Sequence, residues 1–213
     1  MYVKGQNGLN LVLMCIYVND LLITGSDLAE IEKFKITLMS EFEMTDLGRL
    51  KYFLGMEFVE TDRGIVLHQH KYTVEILKKF SMKNYNAALT LIEVNASKIE
   101  DGEEEVDNTL FKQMVGSLRY LCNSRPDICF AVGVISRYMH HPRKVHLLAA
   151  KRVLRYIKGT IGFGLLFPEN NQEQTELVGY SDSDWCGDCS DRRSTSGFLF
   201  KFMGAPISWC SKK

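Results

Sequence analysis

Two carboxylates and one cluster of cations are the side chains in this sequence best placed to do chemistry. Tyr17-Val18-Asn19-Asp20 lies between two apolar runs, Leu9 to Ile16 and Leu21 to Thr24. An Asn-Asp pair between strand-like runs suits a tight hairpin, because both residues tolerate left-handed backbone angles. A turn there pushes the Asp20 carboxylate beyond the sheet edge, as polymerases present metal-binding carboxylates, although any hairpin can turn on Asn-Asp. A second carboxylate, Asp182, closes the strand-like run Gly179-Tyr180-Ser181-Asp182. Cys186-Gly187-Asp188-Cys189 has the spacing of a redox or zinc half-site. A zinc site needs four ligands, and the sequence offers no second close pair.

The cations form a block. Nine Lys or Arg and a single acid, Asp127, fall between Arg119 and Lys158, whereas seven acids and one Lys fall between Glu93 and Asp107. Net charge is zero, with 26 basic and 26 acidic residues. Segregated charge can still build a basic face for phosphates, although a solvated helix face has the same composition. Lys151, Arg152, Arg155 and Lys158 are the candidate contacts on that face.

These groups need elements to hold them. Asp27, with Glu30 three residues on, suggests a capping box ahead of a helix whose Leu28, Ile31, Phe34, Leu38 and Phe42 recur at helical spacing. Gly48 should end that helix or lie just beyond it. Leu50 to Val59 and Ile65 to His70 read as strands joined by the turn Thr61-Asp62-Arg63-Gly64, with Gly55 marking a bulge or a close backbone approach. Lys71 to Phe80 reads as a helix, Asn84 to Asn108 as an acidic connecting loop. Three helices follow, Leu110 to Cys122, Asp127 to Met139 and Arg143 to Lys158, punctuated by Pro126 and Pro142. Glu176 to Ser181, Ser196 to Phe202 and Pro206 to Trp209 then read as three antiparallel strands. Their sheet should leave Leu177, Phe198, Phe200 and Ile207 short of partners, or else pack on the preceding helices.

A chain of 213 residues with 46% apolar residues can bury a substantial core in one or two domains. No apolar run approaches the roughly 20 residues that span a bilayer, so no membrane partner is expected. Six scattered cysteines and the lack of a secretory leader pattern point to an intracellular, reducing setting, cytoplasmic or nuclear.

The strings YVNDLLITG, DLGRLKYFLGMEF, GSLRYL, RPDICFAV, AAKRVLRYIKGT, GYSDSDW and DRRSTSGF occur in this order. Together they resemble the reverse transcriptase and ribonuclease H region of copia-type retrotransposon Pol polyproteins. The resemblance implies an α+β fold with three parts: a partial reverse-transcriptase palm of β-hairpins and helices, a helical thumb and connection region, and a truncated three-stranded start of a ribonuclease H-like sheet. It places the distal palm and primer-grip-like hairpin at 1–86, the acidic loop at 87–108, the thumb and connection at 109–166 and the ribonuclease H-like start at 175–213.

The same resemblance assigns residues. The family carries Tyr-Val-Asp-Asp at the hairpin, and here Asn19 stands at the position of its first metal-binding Asp, beside Asp20. Phe53, Leu54 and Gly55 match the primer grip, and Lys151, Arg152, Arg155 and Lys158 fall on the thumb helices that would touch a template-primer duplex or RNA–DNA hybrid. Asp182 matches the first metal ligand of ribonuclease H. Mg²⁺ is the family's cofactor, and two-metal phosphoryl transfer needs several converging carboxylates. With Asn19 neutral, and the other acids of both sites expected outside this sequence, the expectation is an inactive fragment with no Mg²⁺ bound productively. Its partners would be nucleic acid and the remainder of the Pol polyprotein. The alternative is a non-catalytic nucleic-acid-binding or partner-binding remnant that uses the basic helices.

Overall fold

The hairpin at the start of the chain forms as the alternation of apolar runs requires. In the computed structural model, which describes residues 2–6, 9–92, 104–169, 176–187 and 192–213, β1 (Tyr2–Gln6), β2 (Leu9–Tyr17) and β3 (Asp20–Gly25) make an antiparallel sheet in the order β1-β2-β3. The closing pair of the β2–β3 turn is Tyr17↔Asp20. Helix α1 (Leu28–Glu41) follows, and the Asp27 carboxylate caps it by accepting from the Ala29 N–H at 2.8 Å.

The apolar stripe expected on α1 is only partly used. Ile31 is buried, but Leu28 and Phe42, at its two ends, are 79% and 62% exposed. Periodicity reports which residues share a face, not how far the sheet beneath extends. The helix also stops at Glu41, well before Gly48. Gly48 instead sits at φ 75° in a turn whose N–H is held by Asp46 Oδ1 at 2.8 Å. Lys35 donates to Glu32 and Asp46, which raises its own pKa, while the Gly48 N–H first and Lys35 second lower that of Asp46. Both groups are exposed or nearly so, so this is a weak local tie.

Residues Met1–Lys51 form one compact unit and Tyr52–Lys213 a second. Compactness therefore divides the chain at 51/52, whereas motif order placed its first boundary in the acidic loop. Within the second unit, β4 (Tyr52–Phe53), β5 (Met56–Thr61), β6 (Gly64–His68) and β7 (Leu165–Pro168) pair antiparallel in that order. The run read as one strand from Leu50 to Val59 is thus itself a hairpin, turning at Leu54-Gly55. Strand β7 was not foreseen. It is four residues long, ends in proline at a sheet edge, and pairs with β6 from about a hundred residues away.

Helices α2 (His70–Lys79), α3 (Asn108–Leu121), α4 (Cys129–Ser136) and α5 (Lys144–Gly159) enclose the core, with a short 3-10 turn at Pro126–Ile128 leading into α4. Phe111, Val115, Leu118, Leu121, Val153, Leu154 and Ile157 are fully buried there. Every predicted helix of this region forms within a few residues of its expected ends, and proline supplies the breaks because it cannot donate to a preceding turn. The acidic loop is non-helical at 84–92 and 104–107, and its middle, 93–103, lies outside the described residues.

The last sheet also forms as expected, with β8 (Leu177–Ser183), β9 (Ser196–Phe202) and β10 (Ala205–Lys212) in the order β10-β9-β8. It packs on the helices through β10 and α4. Trp209 Nε1 donates to the Cys122 carbonyl at 2.8 Å, and Arg137 reaches Thr195 Oγ1 at 2.9 Å. Leu177, Phe198, Phe200 and Ile207 stay 39–62% exposed. The architecture is mixed helix and sheet, in the α+β class.

Candidate functional site

The hairpin tip carries the first candidate pair. The turn is made by Val18 and Asn19 rather than by Asn19 and Asp20, and Asp20 is already the first residue of β3. Val18 takes φ 52°, a left-handed conformation that a β-branched side chain adopts only against steric strain. That strain brings Asn19 and Asp20 out together at the tip, and both are exposed.

The second candidate, Phe53-Leu54-Gly55, is a tight turn and not a bulged strand. Leu54 and Gly55 have φ 50° and 77°, the pair of left-handed angles that twists two strands into a close hairpin. Tyr120, on α3, donates from its hydroxyl to the Leu54 carbonyl at 2.6 Å. A Cβ on Gly55 would collide with that hydroxyl, so the turn needs glycine for space as well as for conformation. Tyr52, Gly55, Lys71, Tyr72, Glu75 and Tyr120 line a cleft of about 410 Å³ beside the turn. Of these, only Gly55 was singled out in the sequence. Tyr120 sits in the string GSLRYL, but its contact with Leu54 spans 66 residues and leaves no local signal.

The basic helix is more occupied than its sequence suggests. Arg152 donates to the Thr90 carbonyl and hydroxyl, Arg155 to the Asn86 carbonyl at 2.7 Å and Lys158 to the Tyr85 carbonyl at 2.6 Å. These three cations clasp residues 85–90 to α5. Arg125 is buried, with a bidentate bond to Asp127 and further bonds to Thr160. Tyr156 completes this knot by donating to Asp127 at 3.1 Å, and its pKa is raised, chiefly by burial. Arg143 and Lys144 meet Glu105 and Glu104 at 3.5 and 3.1 Å. The acidic and basic blocks that stand apart in sequence are thus partly joined in the fold. The side chains of Arg119 and Lys151 make no hydrogen bond or ion pair among the described residues.

Asp182 lies on the exposed strand β8, opposite Gly197. Its neighbour Asp184 is used structurally, accepting from the Thr195 N–H at 2.7 Å. Cys186 is a free thiol, whereas Asp188 and Cys189 lie outside the described residues. Elsewhere, the Cys122 thiol donates to the Leu118 carbonyl and the Cys129 thiol to the Cys122 and Arg125 carbonyls, and the proximity of the two thiols pushes the pKa of the first up and that of the second down.

Comparison with known proteins finds relatives over nearly the whole chain. A family model described as reverse transcriptase (RNA-dependent DNA polymerase) matches residues 1–94. The chain is 37% identical over 209 residues to the retrovirus-related Pol polyprotein from transposon RE1 of Arabidopsis thaliana, covering 98% of this chain and 14% of that protein. It is 38% identical over 221 residues to the retrovirus-related Pol polyprotein from transposon TNT 1-94 of Nicotiana tabacum, covering 99% of this chain and 16% of that protein. An uncharacterized mitochondrial protein of Arabidopsis thaliana is 37% identical over 201 residues, which are 94% of this chain and 82% of that protein. The chain belongs to the retrotransposon reverse transcriptases. No solved structure matches it.

The chain spans about one seventh of the length of the Pol polyproteins it matches, 14% in the case of RE1. Divalent metal ions are general to its family, so the fit of the residues present can be tested. At the hairpin tip the donors are one carboxylate, Asp20, and one neutral amide, Asn19. Among the described residues, no three Asp, Glu, His or Cys side chains converge to hold a metal ion. Two divalent ions need more anionic oxygen than this, so the donor set does not fit the family's metal pair. No described helix is long and apolar enough to cross a membrane.

Proposed function

We propose that this chain is a copia-type segment that engages nucleic acid without copying it. In this reading residues 1–86 are the distal palm and primer-grip-like hairpin, 87–108 a connecting loop, 109–166 the thumb and connection, and 175–213 the opening strands of a ribonuclease H-like domain. The carrying observation is the hairpin tip, where Val18 at φ 52° presents Asn19 and Asp20 side by side. In this reading the tight hairpin tip corresponds to the family's Tyr-Val-Asp-Asp turn, with the amide of Asn19 standing where the first of its two carboxylates would be. An amide oxygen offers a lone pair but no charge, and phosphoryl transfer through two metal ions depends on offsetting their charge as well as filling their coordination shells.

The partner in this reading is a template-primer duplex or RNA–DNA hybrid, in the context of a longer Pol polyprotein. The Leu54-Gly55 turn and Lys151 are the contacts it favours. Arg152, Arg155 and Lys158 contribute chiefly by fixing the 85–90 segment, and Asp182 supplies a single carboxylate of a ribonuclease H-like site.

The test is primer extension and hybrid cleavage by the purified chain in magnesium, alongside hybrid binding over a salt series. The expected result is salt-dependent binding with no extension and no cleavage. Asn19→Asp should leave synthesis absent, because a third carboxylate does not converge on the tip among the described residues. Extended primer or cleaved RNA would overturn the inactive reading. Undetectable hybrid binding at low salt would overturn the binding reading.

A further inference from the structure

The cleft beside the Leu54-Gly55 turn has a chemistry that duplex contact does not need. Two of its tyrosines are fixed: Tyr72 and Tyr120 meet edge to face at 4.7 Å between ring centres and 76° between planes. Their hydroxyls are engaged inward, Tyr120 on the Leu54 carbonyl at 2.6 Å and Tyr72 on the Ser117 carbonyl at 3.4 Å. The third, Tyr52, is 58% exposed. Lys71 places its ammonium 5.5 Å from the Tyr52 ring centre, and its backbone N–H is anchored by Glu57 at 2.7 Å. Glu75 adds one acid to the lining.

We infer that this cleft takes an unpaired nucleotide of a single strand, with its base stacked on Tyr52 and one phosphate on Lys71. The inference rests on the reading of the chain as a nucleic-acid-engaging segment. A half-exposed aromatic ring with a mobile cation over one face matches a planar base that carries an anionic group, the base taking the ring and the phosphate the ammonium, and base–aromatic stacking is indifferent to sequence. A base inside a duplex has both faces covered by its neighbours and a terminal pair offers one face only as a rigid pair too wide for the cleft, so an unpaired base is the one that fits against Tyr52. A volume of about 410 Å³ is at the low end of ligand-sized sites, roughly 300–1,000 Å³. The Glu75 carboxylate limits the cleft to one phosphate and leaves an acceptor for a sugar hydroxyl.

Fluorescence anisotropy with a labelled single-stranded oligonucleotide and a labelled blunt RNA–DNA hybrid tests the assignment on the full chain. Tyr52→Ala should weaken single-strand binding about 10-fold, and Tyr52→Phe should retain it, because the ring and not the hydroxyl does the stacking. Lys71→Ala should lower the salt slope for the single strand by about 1. Affinity for the blunt hybrid should be unchanged in Tyr52→Ala. Both substitutions are on exposed side chains, and an unchanged melting curve establishes that they fold.

An equal loss on both nucleic acids, or none on the single strand, overturns the assignment. If the unsubstituted chain binds the hybrid but not the single strand, the cleft assignment falls and the reading of the chain as a duplex-engaging segment stands. If it binds the single strand alone, with the loss in Tyr52→Ala, the cleft stands and the duplex reading falls. Binding to neither overturns both.

Discussion

The hairpin unit and the helical unit differ most in where their apolar residues go. Among its described residues the first unit buries Val12 and Ile31, while Tyr17, Val18, Leu28, Ile36 and Phe42 are 53% exposed or more. The second closes Phe111, Leu118, Leu121, Leu154 and Ile157 away from water completely. At about 25 cal/mol per Å² of apolar surface, that difference puts most of the hydrophobic stabilisation in the helices. The candidate tip is held mainly by strand pairing, against the strain at Val18. The Leu54-Gly55 turn, by contrast, is tied directly to helix α3 of the buried core through the Tyr120 hydroxyl.

The contrast is sharpest in paired substitutions. Leu118→Ala should cost about 3 kcal/mol in chemical denaturation, since it removes a fully buried side chain and leaves a cavity. Leu28→Ala, at a residue 79% exposed, should stay within about 0.5 kcal/mol. Similar losses from both would mean that the α1 stripe is buried in solution.

A smaller effect is expected at the polar knot. Arg125→Met should cost about 2 kcal/mol, because Asp127 loses its bidentate partner and Thr160 two donors, while Asp127 remains accessible enough for water to offset part of the loss. An unchanged denaturation midpoint would show that the knot is incidental to the helical core.

A smaller effect again, and the only one that should stabilise, is at the hairpin tip. Val18→Gly removes a β-branched side chain from φ 52° and should raise the local stability of the β2–β3 hairpin by about 1 kcal/mol, after the entropy cost of glycine. Slower amide exchange in β2 and β3, with the helical core unchanged, is the expected reading. Faster exchange would mean that Val18 is held by contacts worth more than its strain.

Legibility in the sequence followed range. The hairpin, the helices and the last three strands were readable because each is set by residues within one element: alternation in β2, helical spacing around Leu118 and Val153, prolines at 126 and 142. The turn at Leu54-Gly55 was misread as part of one strand because a two-residue loop interrupts apolar alternation very little. Strand β7 was missed because its identity depends on β6, far away in the chain. At the candidate site, Asn19 and Asp20 were visible as residue types, while the partners that surround Gly55 were not.

By itself the sequence determined the composition of each site: one carboxylate and one amide at the tip, a glycine at the second turn, a block of cations on the last long helix. Those are properties of side chains in order, and they do not depend on folding. Only the tertiary structure decided which of them remain available. It spent Arg152, Arg155 and Lys158 on carbonyls of 85–90, set Glu104 and Glu105 against Lys144 and Arg143, and brought Tyr52, Lys71, Tyr72 and Tyr120 around Gly55. The physical reason is that hydrogen bonds and packing act over a few ångströms in space, whatever the separation along the chain.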